Sequence, residues 1–154
     1  MKQNSRLSRV LHLLLHMAAQ EGPCTSQALA RLLATNPVVI RRIMAGLRDR
    51  GYVQSEKGHG GGWTLACDMA AVTLRDIYDA LEIPSPLAIG NRTESPGCLV
   101  EQAVNEALER AFQDAENLLL TRLGQVSLSR LSDNCRARLT ARNAMHDCSE
   151  KAHA

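Results

Sequence analysis

"KGHGGGWTLA", residues 57–66, decides how the rest of the chain is read. Four of its ten residues are glycine, and the run passes into Trp63-Thr64-Leu65-Ala66, which has strand character. Such a run can cradle a phosphate, link two domains or form the tip of a hairpin. The phosphate reading fails on detail: there is no G-x-x-x-x-G-K-[ST], and the glycines lead into a strand rather than a helix N-terminus. The linker reading fails because β-forming residues stand on both sides, Tyr52-Val53-Gln54-Ser55 before and Gly62–Ala66 after. A β-hairpin with the glycines at its turn remains. A tight turn of this kind needs positive φ and no bulky side chains.

Working back from the hairpin, three short helices are predicted. In "RLSRVLHLLLHMAAQ" (6–20), Leu7, Val10, Leu11, Leu14 and Ala18 share one helical face, and Glu21-Gly22-Pro23 stops the helix. "CTSQALARLLA" opens with Thr25 or Ser26, either a good N-cap, and turns Leu29, Leu32 and Leu33 inward. Asn36 caps a third helix, with Pro37 at its first position. In "VVIRRIMAGLRDR", Ile40, Ile43, Met44 and Leu47 face a core, and Gly51 ends the helix. Three helices and a hairpin are the parts of a winged helix-turn-helix. "TLRDIYDALE" (Thr73–Glu82) adds a helix capped by Thr73. The fold class is mainly α with a small β-hairpin wing, followed by a long C-terminal helix.

The charge is unevenly placed. Residues 1–66 hold nine Lys/Arg against three acids, and residues 67–154 hold nine against thirteen, so a basic half precedes an acidic one. Only the first half is suited to a polyanion. Aromatics are 3% of the chain, so the core is built from Leu, Val, Ile, Ala and Met, which favours helix. No secretory signal or membrane-length apolar run is visible, and a cytoplasmic protein with no membrane partner is expected. The five cysteines form no C-x-x-C pair, so neither a zinc ribbon nor a disulfide framework is indicated.

The third helix is the recognition candidate. Asn36, Val38, Arg41 and Arg42 lie near its N-terminus, off the apolar face, where base edges would be reached. An arginine can bridge guanine bidentately, so Arg41 or Arg42 is expected to read a G. Arg48 sits where a backbone contact is expected, as does Arg50. Lys57, His59 and Gly60 at the wing, and Ser26 at the start of the second helix, complete the expected DNA contacts. Winged helices used for protein–protein contact are the alternative; the basic third helix and wing argue against it. An enzyme is not expected, since no nucleophile–base pair, metal-ligand spacing or phosphate loop is found.

The second half divides into a Pro/Gly-rich linker (84–97), a helix with a terminal turn (98–132) and a polar tail (133–154), after a DNA-binding domain at 1–83. In the long helix Val104, Leu108, Ala111, Ala115 and Leu118 alternate by four and three, the seam spacing of a coiled coil, and predict a dimer interface. The tail lacks periodicity and is expected to fray.

The residues "NPVVIRRIMAGLRDRGYVQSEKGHGGGWTLA" (36–66) resemble the Rrf2 family of bacterial transcriptional regulators. The family's wing reads S-x-R-G-x-x-G-G-Y-x-L-A, matched here by Ser55, Gly58, Gly61, Gly62, Leu65 and Ala66. Lys57 stands for the arginine and Trp63 for the tyrosine. The resemblance extends through "TLRDIYDALE" and the long helix, over about residues 5–131. It implies a homodimer on a roughly palindromic double-stranded operator, with a recognition helix in the major groove and a wing at the minor groove. A regulator that acts as a repressor is expected. Cluster-binding relatives carry three cysteines at the start of the dimer helix, of which this chain has only the last, Cys98. An iron–sulfur cluster is therefore not expected, although Cys98 remains and His12 sits near a first-helix position that supplies a ligand in some relatives. His12 and His16 lie one helical turn apart without a third ligand nearby, and His146, Cys148 and His153 fall in the polar tail. A thiol switch is the more attractive signal. Cys98 follows Gly97 at a helix N-terminus, where the dipole favours a thiolate; Cys24, just before the second helix, is a weaker candidate of the same kind.

Overall fold

The computed structural model describes the backbone of residues 2–82 and 97–151, and the side chains of 6–82 and 97–141. Six helices and one hairpin follow in order: α1 (Lys2–Ala19), α2 (Ser26–Leu32), α3 (Pro37–Asp49), β1 (Val53–Glu56), β2 (Gly62–Leu65), α4 (Leu74–Ala80), α5 (Leu99–Gly124) and α6 (Leu128–Lys151). The fold is mainly α with a two-stranded wing.

Local chemistry sets the boundaries. Thr25 caps α2, its hydroxyl accepting from the Ala28 N–H at 3.1 Å. Asn36 caps α3 with Oδ1 2.8 Å from the Val38 N–H, and Pro37 occupies the first turn, where its missing N–H costs nothing. α3 ends in a Schellman arrangement: the Gly51 N–H donates to the Arg48 carbonyl and the Tyr52 N–H to the Leu47 carbonyl. That turn delivers the chain into β1. A capping box of Thr73 and Asp76 starts α4.

One core joins these elements. Val10, Leu13, Leu14 and Met17 of α1 pack with Leu29, with Ile40, Met44 and Leu47 of α3, with Val53 and Trp63 of the wing, and with Ile77 of α4. Leu13 and Met17, outside the expected stripe of α1, are buried because α1 meets α4, β2 and α6 together, which widens its apolar face. Leu32, expected inward, is exposed; α2 has only seven residues and buries Leu29 and Ala30 instead.

The strands pair antiparallel, Val53 opposite Leu65 and Glu56 opposite Gly62. Cys24 adds a bridge on the other edge of β2, exchanging two 2.9 Å backbone hydrogen bonds with Trp63. The wing is thereby tied to the segment that leads into α2.

Two expectations about the second half change. The tail does not begin at 133: α6 runs from Leu128 to Lys151 as one helix. Leucine, arginine and alanine in "CRARLTARNAM" favour helix by propensity alone, and residues 133–141 are exposed on every side, so burial imposes no period. The start of α6 also belongs to the first core. Leu128 is fully buried there, and Thr73 bridges Ser127. The expected linker, 84–97, lies outside the described residues apart from Gly97.

Candidate nucleic-acid interface

The wing glycines answer to the geometry around them. Gly58 and Gly60 have φ of +101° and +80°, which L side chains rarely adopt. A Cβ on Gly61 would collide with the Glu56 carbonyl oxygen, and one on Gly62 would sit 2.6 Å from the Cys24 carbonyl oxygen. The run is therefore a close approach of three backbone segments. It leaves Lys57, His59 and Gly60 exposed at the tip.

α3 buries Ile40, Met44 and Leu47 and turns its opposite face outward. Val38, 62% exposed, and Val39 stand at its start. Sequence reasoning passed over Val39; an exposed valine beside a helix N-terminus is a methyl-sized contact of the kind that fits a thymine. Arg41 and Arg42 are exposed and make no hydrogen bond or ion pair among the described residues. Arg48 lies 3.2 Å from Asp49, and Arg50 lies 3.5 Å from Glu82. These exposed pairs contribute little to stability, but they dilute the positive charge at the far end of the helix. Among the described residues, the cations of α3 without an acidic partner are thus Arg41 and Arg42, the pair nearest its N-terminus.

Two predicted contacts are partly committed elsewhere. The Asn36 Oδ1 is used by the cap, leaving its amide N–H groups. The Ser26 hydroxyl accepts from the Trp63 indole N–H at 2.9 Å, so Ser26 fastens the wing to α2.

The cysteines separate by environment. Cys98 is the N-cap of α5, exposed, and its side chain makes no capping hydrogen bond. Cys24 is buried, its thiol donating to the Gln20 Oε1 at 2.8 Å, and burial pushes its pKa up. That is the reverse of what an activated thiol needs, so Cys24 does not have the environment expected of a sensor. Cys67, also partly buried, is shifted upward too, chiefly by desolvation. The His12 and His16 rings lie with centroids 4.6 Å apart and planes tilted by 57°. They line a groove of about 400 Å³ between α1 and α6 that Cys135 also borders. Among the described residues no three His, Cys, Asp or Glu side chains come together as a metal site.

On α5 the expected seam is bare. Val104, Leu108, Ala111, Ala115 and Leu118 are all exposed, and the helix has no fully buried residue. Phe112, Glu116, Leu120 and Leu123 lie on its partly covered side. No helix among the described residues is long and apolar enough to cross a membrane.

With this geometry in hand, comparison with known proteins is informative. The Rrf2 family, described as iron-dependent transcriptional regulators, matches residues 3–134. YwnA of Bacillus subtilis, named among the HTH-type transcriptional regulators, is 29% identical over 125 residues, covering 81% of this chain and 92% of YwnA. A transcriptional regulator from Lactobacillus plantarum superposes with a TM-score of 0.72 at 24% identity, covering 92% of this chain and 97% of its own. CymR, the global cysteine regulator of B. subtilis, gives a TM-score of 0.57 at 23% identity, covering 87% and 95%. These two likenesses speak for the fold. The matched relatives are regulators by name, not enzymes.

Proposed function

We propose a function from one premise: the chain belongs to the Rrf2 family of transcriptional regulators. It acts as a homodimer that represses transcription by occupying a palindromic DNA operator. The observation that carries the reading is the pair Arg41 and Arg42, exposed and without a partner among the described residues, at the N-terminal half of a helix whose other face is locked in the core. Each protomer inserts α3 in the major groove, with Arg41 or Arg42 on a guanine edge and Val38 against a methyl group. Lys57 and His59 on the wing approach the flanking backbone. The bare Val104–Leu118 seam of α5 supports the dimer, since an exposed apolar stripe of that length asks for a partner.

In vitro selection of duplexes, followed by anisotropy titration, tests the reading. Arg41→Ala or Arg42→Ala should lose ~1–3 kcal/mol on the selected duplex and less on random DNA. Failure of the chain to enrich any sequence refutes it. Light scattering should give twice the 16.8 kDa chain mass, reduced to one chain by Leu108→Glu.

Oxidation of Cys98 is the signal we propose, favoured by its exposure and its unengaged thiol at the head of α5. Intact mass with and without peroxide, alongside operator affinity, tests it. An inert Cys98, or oxidation without change in affinity, removes the switch.

A further inference from the structure

A second surface borders the recognition helix. A half-open groove of about 890 Å³ lies between α1 and α3, bordered also by Ala80, Leu81 and Glu82 at the end of α4. Arg6 and Arg9 of α1 line one wall, and Arg42 of α3 with Arg50, the residue that follows the helix, the other. Two acids, Asp49 and Glu82, also border it, but each already faces an arginine, Arg48 and Arg50 respectively. Arg9 spends one donor on the Leu33 carbonyl at 3.3 Å and keeps the rest of its guanidinium fork. Arg6 and Arg42 have no acidic partner among the described residues.

Gly46 forms part of the same wall. It stands inside a thirteen-residue helix, where glycine is the least favoured residue after proline. Its φ is ordinary, and among the described residues a Cβ added there would meet nothing within 4 Å. No packing contact among them requires the missing methyl. What a bare helix backbone offers is close approach by something outside the chain.

We propose that this groove takes a segment of DNA phosphate backbone beside the base-reading face of α3. Arg6 and Arg9 clamp phosphates, and Gly46 lets the strand lie against the helix. The inference rests on the DNA-binding reading above. A strand is favoured over a small anion because the groove is half-open among the described residues, whereas small-ligand sites enclose most of their ligand.

Titrations of the full chain on a selected and a random duplex, at several salt concentrations, decide the matter. Each of Arg6→Ala and Arg9→Ala should lower the slope of log K against log salt by about 0.9, with equal proportional loss on both duplexes. Arg75→Ala, on α4 and paired with Asp79 away from the groove, should leave the slope unchanged. Gly46→Ala should melt at higher temperature yet bind both duplexes several-fold more weakly, a combination no folding defect produces. An unchanged slope in the double arginine variant overturns the proposal, and so does a Gly46→Ala chain that binds like the wild type. Pyrophosphate that raises the wild-type melting temperature but not that of the double variant, with slopes unchanged, would mark a small-anion pocket instead. Absence of any wild-type binding to DNA is seen before a variant is made, and it removes the underlying reading along with this one.

Discussion

Gly62→Ala puts the wing's attachment to a quantitative test. The added Cβ would lie 2.6 Å from the Cys24 carbonyl oxygen, 2.7 Å from its carbon and 3.1 Å from the Thr25 nitrogen. All three are backbone atoms, so no side chain can swing aside. The strand must then either hold the overlap or part from Cys24. Holding it costs about 1–3 kcal/mol, the usual range for overpacking. Parting forfeits the two 2.9 Å bonds between Cys24 and Trp63, at about 1 kcal/mol each. Either route costs about 2 kcal/mol, and the smaller unfolded-state entropy of alanine returns about 0.4–1. The net loss of about 1–1.5 kcal/mol should lower Tm by roughly 3–6 °C for a chain of this size.

Gly46→Ala supplies the opposite sign within the same protein. Among the described residues nothing opposes its Cβ, so the helix should gain about 0.5–1 kcal/mol. Calorimetry at equal protein concentration compares the two, since association makes Tm concentration-dependent. Amide exchange should also show Cys24 and Trp63 losing protection in Gly62→Ala. A Gly62→Ala chain that melts at or above the wild type, with those amides still protected, would refute the close-approach account of the wing glycines.

Alkylation at neutral pH should modify Cys98 and Cys135 first, with Cys67 slower and Cys24 reacting only on unfolding, read by peptide mass; early labelling of Cys24 would contradict its burial. Because burial raises the folded pKa of Cys24 and Cys67 above that of a free thiol, their contribution to stability is full at neutral pH and lost as pH climbs through and beyond the ordinary thiol range. The urea midpoint should therefore fall over that window, less steeply in Cys24→Ala. Trp63 is the chain's single tryptophan and is 9% exposed, so its emission should be blue-shifted and move red at the same urea concentration as helix signal is lost. A separate, earlier red shift would show a wing that melts independently.

The parts legible in the sequence are those where one face is buried and the other is not. α3 is the clearest case: Ile40, Met44 and Leu47 repeat at helical spacing, Asn36-Pro37 opens it and Gly51 closes it, so its exposed arginines could be named without coordinates. The wing glycines were legible as a turn, but the reason for Gly61 and Gly62 lies in contacts with Glu56 and Cys24, and the Cys24 contact is long-range. The pairing of Arg50 with Glu82 is likewise long-range, so residues expected alike on the recognition helix differ in free charge. Gly46 could have been flagged from sequence as a glycine inside a helix; what surrounds it could not. α6 escaped for the converse reason. Past Ser132 the described side chains, 133–141, are exposed all round and carry no hydrophobic period, so the only signal there is propensity, which is weak beside the polar composition that suggested fraying.

The junction of α5 and α6 with the first domain leads to a prediction about where the chain can be cut. The sequence suggests that a winged helix ending at residue 83 stands alone. Three backbone bonds argue otherwise: the Leu74 N–H donates to the Val126 carbonyl at 2.9 Å, Leu128 to Val72 at 2.9 Å and Ser129 to Met69 at 2.8 Å. They carry Leu128 into the core, where it is fully buried. Losing that side chain costs about 2–5 kcal/mol by analogy with Leu→Ala in cores, and the three bonds add about 1 kcal/mol each. The sum, roughly 5–8 kcal/mol, reaches into the 5–15 kcal/mol that holds an ordinary domain folded. A chain ending at 97 should therefore melt broadly or not at all by circular dichroism, while one ending at 134 should melt cooperatively. Leu128→Ala in the full chain separates the side-chain share from the rest and should lower the urea midpoint about as much as Leu47→Ala. If the 97-residue chain melts sharply near the parent temperature, the start of α6 is an accessory to the DNA-binding domain and not part of its core.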